Sequence, residues 1–277
     1  MNNSEFYIGW MAKAPKSFAK HVKRVLFILF PLALIIGSLL SVNQKKFSTA
    51  SFEFGKLTEI KGVYYNNPVP VLKVYDKNKL SITIPLVGYG KHGAETAIKE
   101  LEEEKGISFN GKELILKGTL LYGDGKTLMQ IDKSDNPVLS VGEASAILPV
   151  KKELGVQTVR GEIIDPKCYF GVMKPGEGKV HRDCAIRCIL GGIPPVLHVQ
   201  NERGESNYYF IVGAEGQKVN EAVKDLVAEP VTIEAKVIQQ DDWIFLYTGK
   251  DNIRRISYAQ LNKPETRVMA CSTNPVK

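Results

Sequence analysis

Cysteine is missing from the first 167 residues of this 277-residue chain, and histidine occurs only four times. No two cysteines stand in a C-x-x-C pair, which excludes paired zinc knuckles and the C-x-x-C-H of covalent haem attachment. The cysteine and histidine pattern is not that of a Rieske centre either, which takes two of each. A phosphate-gripping P-loop is absent as well, because GVMKPGE (Gly171 to Glu177) has no lysine after its second glycine and reads as a flexible turn. Surplus positive charge is scarce where it would matter. The formal net charge is +7, but Lys13, Lys16, Lys20, Lys23 and Arg24 face only Glu5 in residues 1–24, a local +4, so about +3 is left for the remainder. That is too little for the dense phosphate contacts of a nucleic-acid binder, and no nucleic-acid partner is expected.

What the chain does have is one long apolar run. No charge falls between Arg24 and Lys45, and VLFILFPLALIIGSLLSV (Val25 to Val42) is almost wholly apolar. At about 1.5 Å per residue this stretch reaches across a bilayer core of roughly 30 Å. Pro31 and Gly37 are poor choices for a buried soluble helix but are tolerated in a spanning one. A cleaved signal peptide has a shorter apolar region and a small-residue cleavage site, for which Ser48-Thr49-Ala50 is a weak candidate. The basic residues before the run outnumber Lys45 and Lys46 after it, so the positive-inside rule leaves residues 1–24 in the cytoplasm. The expected plan is a cytoplasmic basic segment (1–24), a transmembrane helix (25–44) contacting the lipid bilayer, and soluble domains on the periplasmic or extracytoplasmic side of a bacterial inner membrane.

Beyond residue 45 the chain repeats itself. Lys61-Gly62-Val63 matches Arg160-Gly161-Glu162 at an offset of 99. At an offset of 125, PVLKV (Pro70 to Val74) falls on PVLHV (Pro195 to Val199), LVG (Leu86 to Gly88) on IVG (Ile211 to Gly213), and IKEL (Ile98 to Leu101) on VKDL (Val223 to Leu226). ELILKGTL (Glu113 to Leu120) falls on PVTIEAKV (Pro230 to Val237), and TLMQI (Thr127 to Ile131) on IFLYT (Ile244 to Thr248), at an offset of 117. Each copy reads as three strands, a helix, and two strands. The helices carry Ala97, Ile98 and Leu101 in copy one, and Val219, Ala222, Val223 and Leu226 in copy two, and are ended by Gly106 and Pro230. This order resembles the OB-fold, a small Greek-key barrel. The expectation is therefore a mainly β protein with two tandem OB-like five-stranded barrels (45–150 and 151–255) and a tail (256–277).

The jump from 99 to 125 places 26 extra residues in copy two, within Asp165 to Pro194. In OB-folds the loop between the first two strands is a usual ligand-gripping loop. The insertion holds Cys168, His181, Cys184 and Cys188, and the fourth cysteine is Cys271. HRDCAIRCILGG (His181 to Gly192) predicts a short helix stopped by paired glycines, with His181, Cys184 and Cys188 on one face. Gly171, Pro175, Gly176 and Gly178 let Cys168 fold back toward that face.

Three chemistries fit these residues. Cys168 bridged to Cys184 or Cys188 would staple the loop by about 3 kcal/mol, leaving one thiol free or paired with Cys271. Cys168, His181, Cys184 and Cys188 together suit zinc, copper or haem iron. Alternatively Cys184, beside His181, Arg182 and Arg187, is a nucleophilic thiol of an envelope enzyme. HRDCAIR resembles the S-H-G-C-[IV]-R signature of L,D-transpeptidases, which act on the cell wall, although one extra residue separates His181 from Cys184 and no glycine precedes the cysteine. The overall plan is similar to that of the periplasmic haem chaperone of cytochrome c maturation. That family's haem-bonding residue lies in a motif ending in tyrosine, which ACSTNPVK around Cys271 lacks, so no binding residue is carried over. The resemblance implies a class, anchored accessory proteins that hold a cofactor or a partner subunit of a membrane complex. Of the remaining marks, His198 is expected at a sheet edge or in solvent, His92 in a partnerless turn, Asp241-Asp242 at a hairpin tip, and Trp243 in packing.

Overall fold

A computed structural model describes residues 13–44, 50–75, 81–134, 136–145, 148–201 and 204–261. The chain divides into two compact units, 1–47 and 48–277.

In the first unit, α1 (Lys16–Asn43) starts directly after Pro15 and runs unbroken through Pro31. It begins earlier than residue 25 because nothing from Lys16 to Arg24 breaks a helix, and the lysines and Arg24 occupy its first turns. Its best apolar window has a mean hydropathy of 2.7 and none of it is buried. By length and composition α1 is able to cross a membrane.

The second unit is mainly β. Its first half holds β1 (Ser51–Phe52), β2 (Thr58–Tyr65), β3 (Val71–Tyr75), β4 (Ser81–Val87), α2 (Ala94–Lys105), β5 (Lys112–Gly123), β6 (Lys126–Ile131) and β7 (Val138–Ala144). Strands β2, β3, β4, β6 and β5 pair in turn, and β5 returns to β2, closing a five-stranded barrel. The second half holds β8 (Lys151–Ile164), α3 (Arg182–Leu190), β9 (Val196–Gln200), β10 (Ser206–Gly213), α4 (Asn220–Val223), β11 (Pro230–Gln240), β12 (Trp243–Thr248) and β13 (Ile253–Arg255). Here β8 pairs β9, β9 pairs β10, β10 pairs β12, β12 pairs β11, and β11 pairs β8.

The registers of the two halves correspond residue for residue under the sequence offsets. Val63 sits opposite Lys73, and Glu162 opposite His198. Lys73 opposes Thr83 as His198 opposes Tyr208, and Leu120 opposes Met129 as Val237 opposes Leu246. The repeated glycine has one physical cause in both halves. A Cβ on Gly62 would stand 2.7 Å from the Lys73 carbonyl oxygen, and one on Gly161 would stand 2.4 Å from that of His198. Only a glycine allows so close a strand approach.

Gly106, in the left-handed conformation at φ 64°, caps α2 and ends it. Its expected counterpart over Val219–Leu226 is shorter. Only α4 and a single 3-10 turn (Lys224–Leu226) form there, and Ala185 and Ile189 of α3 pack with Val223 and Val227 in one core. Packing by the insertion takes the place of additional helical turns.

One apolar core lies within each half, and a third joins them, drawing Val63, Val71 and Leu121 from the first half and Phe210, Trp243 and Phe245 from the second. Polar ties reinforce this junction. Lys73 Nζ lies 2.7 Å from Asp241 Oδ1, the Thr83 N–H donates to Asp242 Oδ1, and Trp243 Nε1 donates to the Thr83 carbonyl. Asp241 and Asp242 thus grip the other half as well as making the hairpin turn.

Candidate metal centre

The insertion leaves the sheet at the end of β8, where Asp165 is wholly buried. Its carbonyl accepts the Tyr169 N–H, and its Oδ1 accepts the Lys167 N–H at 2.9 Å, so the chain coils at once. Cys168 opens the irregular turn Cys168–Val172, and Gly171, at φ 135°, turns it against β1. The return through GVMKPGE is exposed over Met173, Lys174 and Pro175 and packs against the fold at its end. A Cβ on Gly176 would lie 2.5 Å from Tyr169 Cα, the Gly178 N–H donates to Glu162 Oε1, and Glu177 meets His198 at 3.3 Å. A short turn (Lys179–His181) then delivers His181 to the start of α3, which carries Cys184 and Cys188 one turn apart.

The structure gathers the four residues singled out in the insertion, with one addition. The sulfurs of Cys168, Cys184 and Cys188 all lie within 4.8 Å of one another. A second triad, within the same limit, consists of ligand atoms of Asp165, Cys168 and His181. Cys168 belongs to both. Among the described residues these three cysteines are free thiols, so the bridge from Cys168 to Cys184 or Cys188 is not formed. Three sulfurs converge here in place of one pair. Cys271 lies outside the described residues.

Two buried polar atoms in this cluster have no hydrogen-bond partner, Asp165 Oδ2 and His181 Nε2. His181 is 3% exposed, and burial lowers its pKa, which favours the neutral imidazole that a metal requires. Cys168 is held well above the usual thiol range, first by its hydrogen bond with Cys188 and then by burial. A protonated, buried Cys168 is a poor nucleophile even with His181 and Asp165 beside it.

Two lysines surround the cluster. Lys91 Nζ donates to Cys184 Sγ at 2.9 Å and stands 3.8 Å from Cys188 Sγ, and the Cys184 bond raises its pKa. Lys167 Nζ reaches away, donating to the carbonyls of Gly88 and Gly90 at 2.7 and 2.6 Å, and burial lowers its pKa. Lys91, Gly88 and Gly90 all belong to the turn after β4 in the first half. That turn seats on the end of α3, where the Gly93 N–H donates to the Gly191 carbonyl and a Cβ on Gly191 would fall 1.8 Å from the Lys91 carbonyl oxygen. The paired glycines therefore make a docking point as well as a helix stop.

Sequence reasoning missed Asp165, Lys91 and Lys167. Asp165 had a signal, standing three residues before Cys168, whereas Lys91 is 93 residues from Cys184 and had none. His198 departs from expectation. It is 5% exposed, with Nε2 3.1 Å from the Tyr169 hydroxyl and 2.9 Å from that of Ser206. Its polarity is satisfied internally, which is how a histidine becomes part of a core. His92 is exposed in its turn. No family model matches the chain, and none of the curated proteins is similar to it at a significant level.

Proposed function

We propose that this chain is a membrane-anchored, extracytoplasmic metal-binding accessory protein, in which Cys168, Cys184 and Cys188, with His181, bind thiophilic metal. One observation carries this reading. Three sulfurs converge, and one of them, that of Cys168, groups with a buried His181 whose Nε2 has no partner. Burying such groups unpaired is unfavourable, and coordination to metal satisfies them. Three thiolates and an imidazole suit zinc or copper. Haem fits less well, since Cys168, Cys188 and His181 are at most 3% exposed and leave no open face for a macrocycle.

The anchor is α1, read with residues 1–24 cytoplasmic and the rest on the periplasmic face of a bacterial inner membrane, by the positive-inside rule. The second unit is read as two tandem OB-like barrels from one duplication, supported by their matched registers and by the helix between third and fourth strands in each half. A rigid cluster displayed by an anchored double barrel suits delivery or storage of an ion for a membrane complex, the partner this reading implies. Catalysis by Cys184 is disfavoured because His181 groups with Cys168 and Asp165 instead.

The test is metal analysis of the purified protein combined with thiol counting. The expected result is bound zinc or copper, with thiols that become reactive only after chelation. A protein without metal, whose cysteines count as free or as disulfides regardless of chelator, overturns the proposal.

A further inference from the structure

We infer that the site holds two thiophilic ions bridged by the Cys168 sulfur, and that Asp165 is a ligand of the second. The inference rests on the metal-binding reading above and specifies its nuclearity. The five candidate ligands do not form one group at the separation that joins each triad. They form two triads with Cys168 in common. In tetrahedral thiolate sites, metal–sulfur bonds of about 2.3 Å place ligand atoms roughly 3.3–3.8 Å apart. Each triad, spanning at most 4.8 Å, needs only a small contraction to close on an ion. A thiolate sulfur has lone pairs enough to bind two cations at once. The first ion then takes Cys168, Cys184 and Cys188, and the second takes Cys168, His181 and Asp165. Paired ions in proteins sit about 3.5–4 Å apart, a separation that a shared sulfur imposes.

Independent evidence comes from the polar groups left unpaired. Asp165 is 0% exposed and His181 3%, and the unpartnered atoms Asp165 Oδ2 and His181 Nε2 both belong to residues of the second triad. Lys167 attracts the Asp165 carboxylate but makes no ion pair with it. Lys167 gives Asp165 only its backbone N–H and sends Nζ to the carbonyls of Gly88 and Gly90. A buried carboxylate oxygen refused a side-chain cation two residues away is a place for a cation from outside. One ion in the sulfur triad would leave both orphan atoms unsatisfied, whereas a second ion satisfies both. Uptake releases the thiol protons to solvent and involves no change of oxidation state.

The sulfur triad admits zinc(II) or copper(I), and the triad that includes Asp165 fits zinc(II) better. The full chain carrying Cys271→Ser is purified in detergent, stripped of metal without oxygen, and titrated with each ion separately, with ions per chain counted by native mass spectrometry. The expected endpoint is two for at least one of the ions, falling to one in Asp165→Asn and in His181→Gln, and the ion reaching two identifies the resident metal. An endpoint of one for both ions overturns the bridged pair while leaving the metal-binding reading intact, and an endpoint of zero overturns both. Two ions retained by both variants overturns the assignment of Asp165 and His181. Should those variants fail to fold, the cadmium-113 spectrum of the parent protein decides, since a bridged pair gives two resonances and a single site gives one.

Discussion

Lys91 Nζ stands 2.9 Å from Cys184 Sγ although the two residues lie in different halves of the second unit. The first half thus covers a cluster whose thiols all come from the second. Gly191 makes this cover fit, because any side chain there strikes the Lys91 carbonyl. Gly191→Ala is expected to lower stability by about 1–3 kcal/mol through overpacking, read by urea unfolding. It should also lift Lys91 from Cys184 and speed alkylation of that thiol. Unchanged alkylation would show that the turn does not cover Cys184.

Thiol accessibility differs within the cluster. Cys184 is half-buried, whereas Cys168 and Cys188 are 3% and 2% exposed. In metal-free Cys271→Ser protein, one thiol should react rapidly with a small alkylating reagent, and peptide mapping should place it at Cys184. The other two should wait for local opening, Cys168 longest because its proton is held by Cys188 and by burial. Rapid labelling of Cys168 would contradict the packing described.

The ion pair of Lys73 and Asp241 joins the halves with both side chains at most 4% exposed. Removing one partner strands the other in a low dielectric. Lys73→Ala and Asp241→Ala are each expected to destabilise by about 3–5 kcal/mol. The double change Lys73→Met with Asp241→Leu should recover part of that loss, since no unpaired charge remains. Equal losses in the single and double variants would count against the pair as the cause.

Alkaline pH should weaken the protein through its buried phenols. Burial, then the charges of Glu102 and Glu95, raises the pKa of Tyr64, and burial likewise raises that of Tyr208. A group whose folded pKa lies above its unfolded value contributes stability that is complete below the unfolded value, about 10 for tyrosine, and is lost as pH rises beyond it. Stability should therefore fall above pH ~10, and Tyr64→Phe should flatten that fall while losing about 1 kcal/mol at neutral pH with its hydrogen bond to Asn66. An identical slope in Tyr64→Phe would rule this residue out as the source.

The repeat and its strand order were legible in the sequence, because the residues that strand pairing requires recur at the same places. Gly62 and Gly161 mark the same close crossing in both halves. The convergence of Cys168 with Cys184 and Cys188 was also legible, from helical spacing and a glycine-rich return. Hidden were the contributions made by other elements. Nothing near Lys91 in the chain announces a thiol partner, and the burial of His198 and Lys73 depends on groups supplied from elsewhere, Tyr169 and Ser206 in one case and Asp241 in the other. The shortened α4 was hidden for a related reason, since amphipathic spacing does not reveal that α3 has taken the packing surface.

The grip of Lys167 on the turn after β4 is made on main-chain oxygens, those of Gly88 and Gly90. A clasp of that kind is blind to side-chain identity. Tyr89 and His92, both exposed in the same turn, are therefore free to drift in sequence without loosening the seat. A one-residue insertion or deletion there would displace both oxygens and unseat the cover over the thiols.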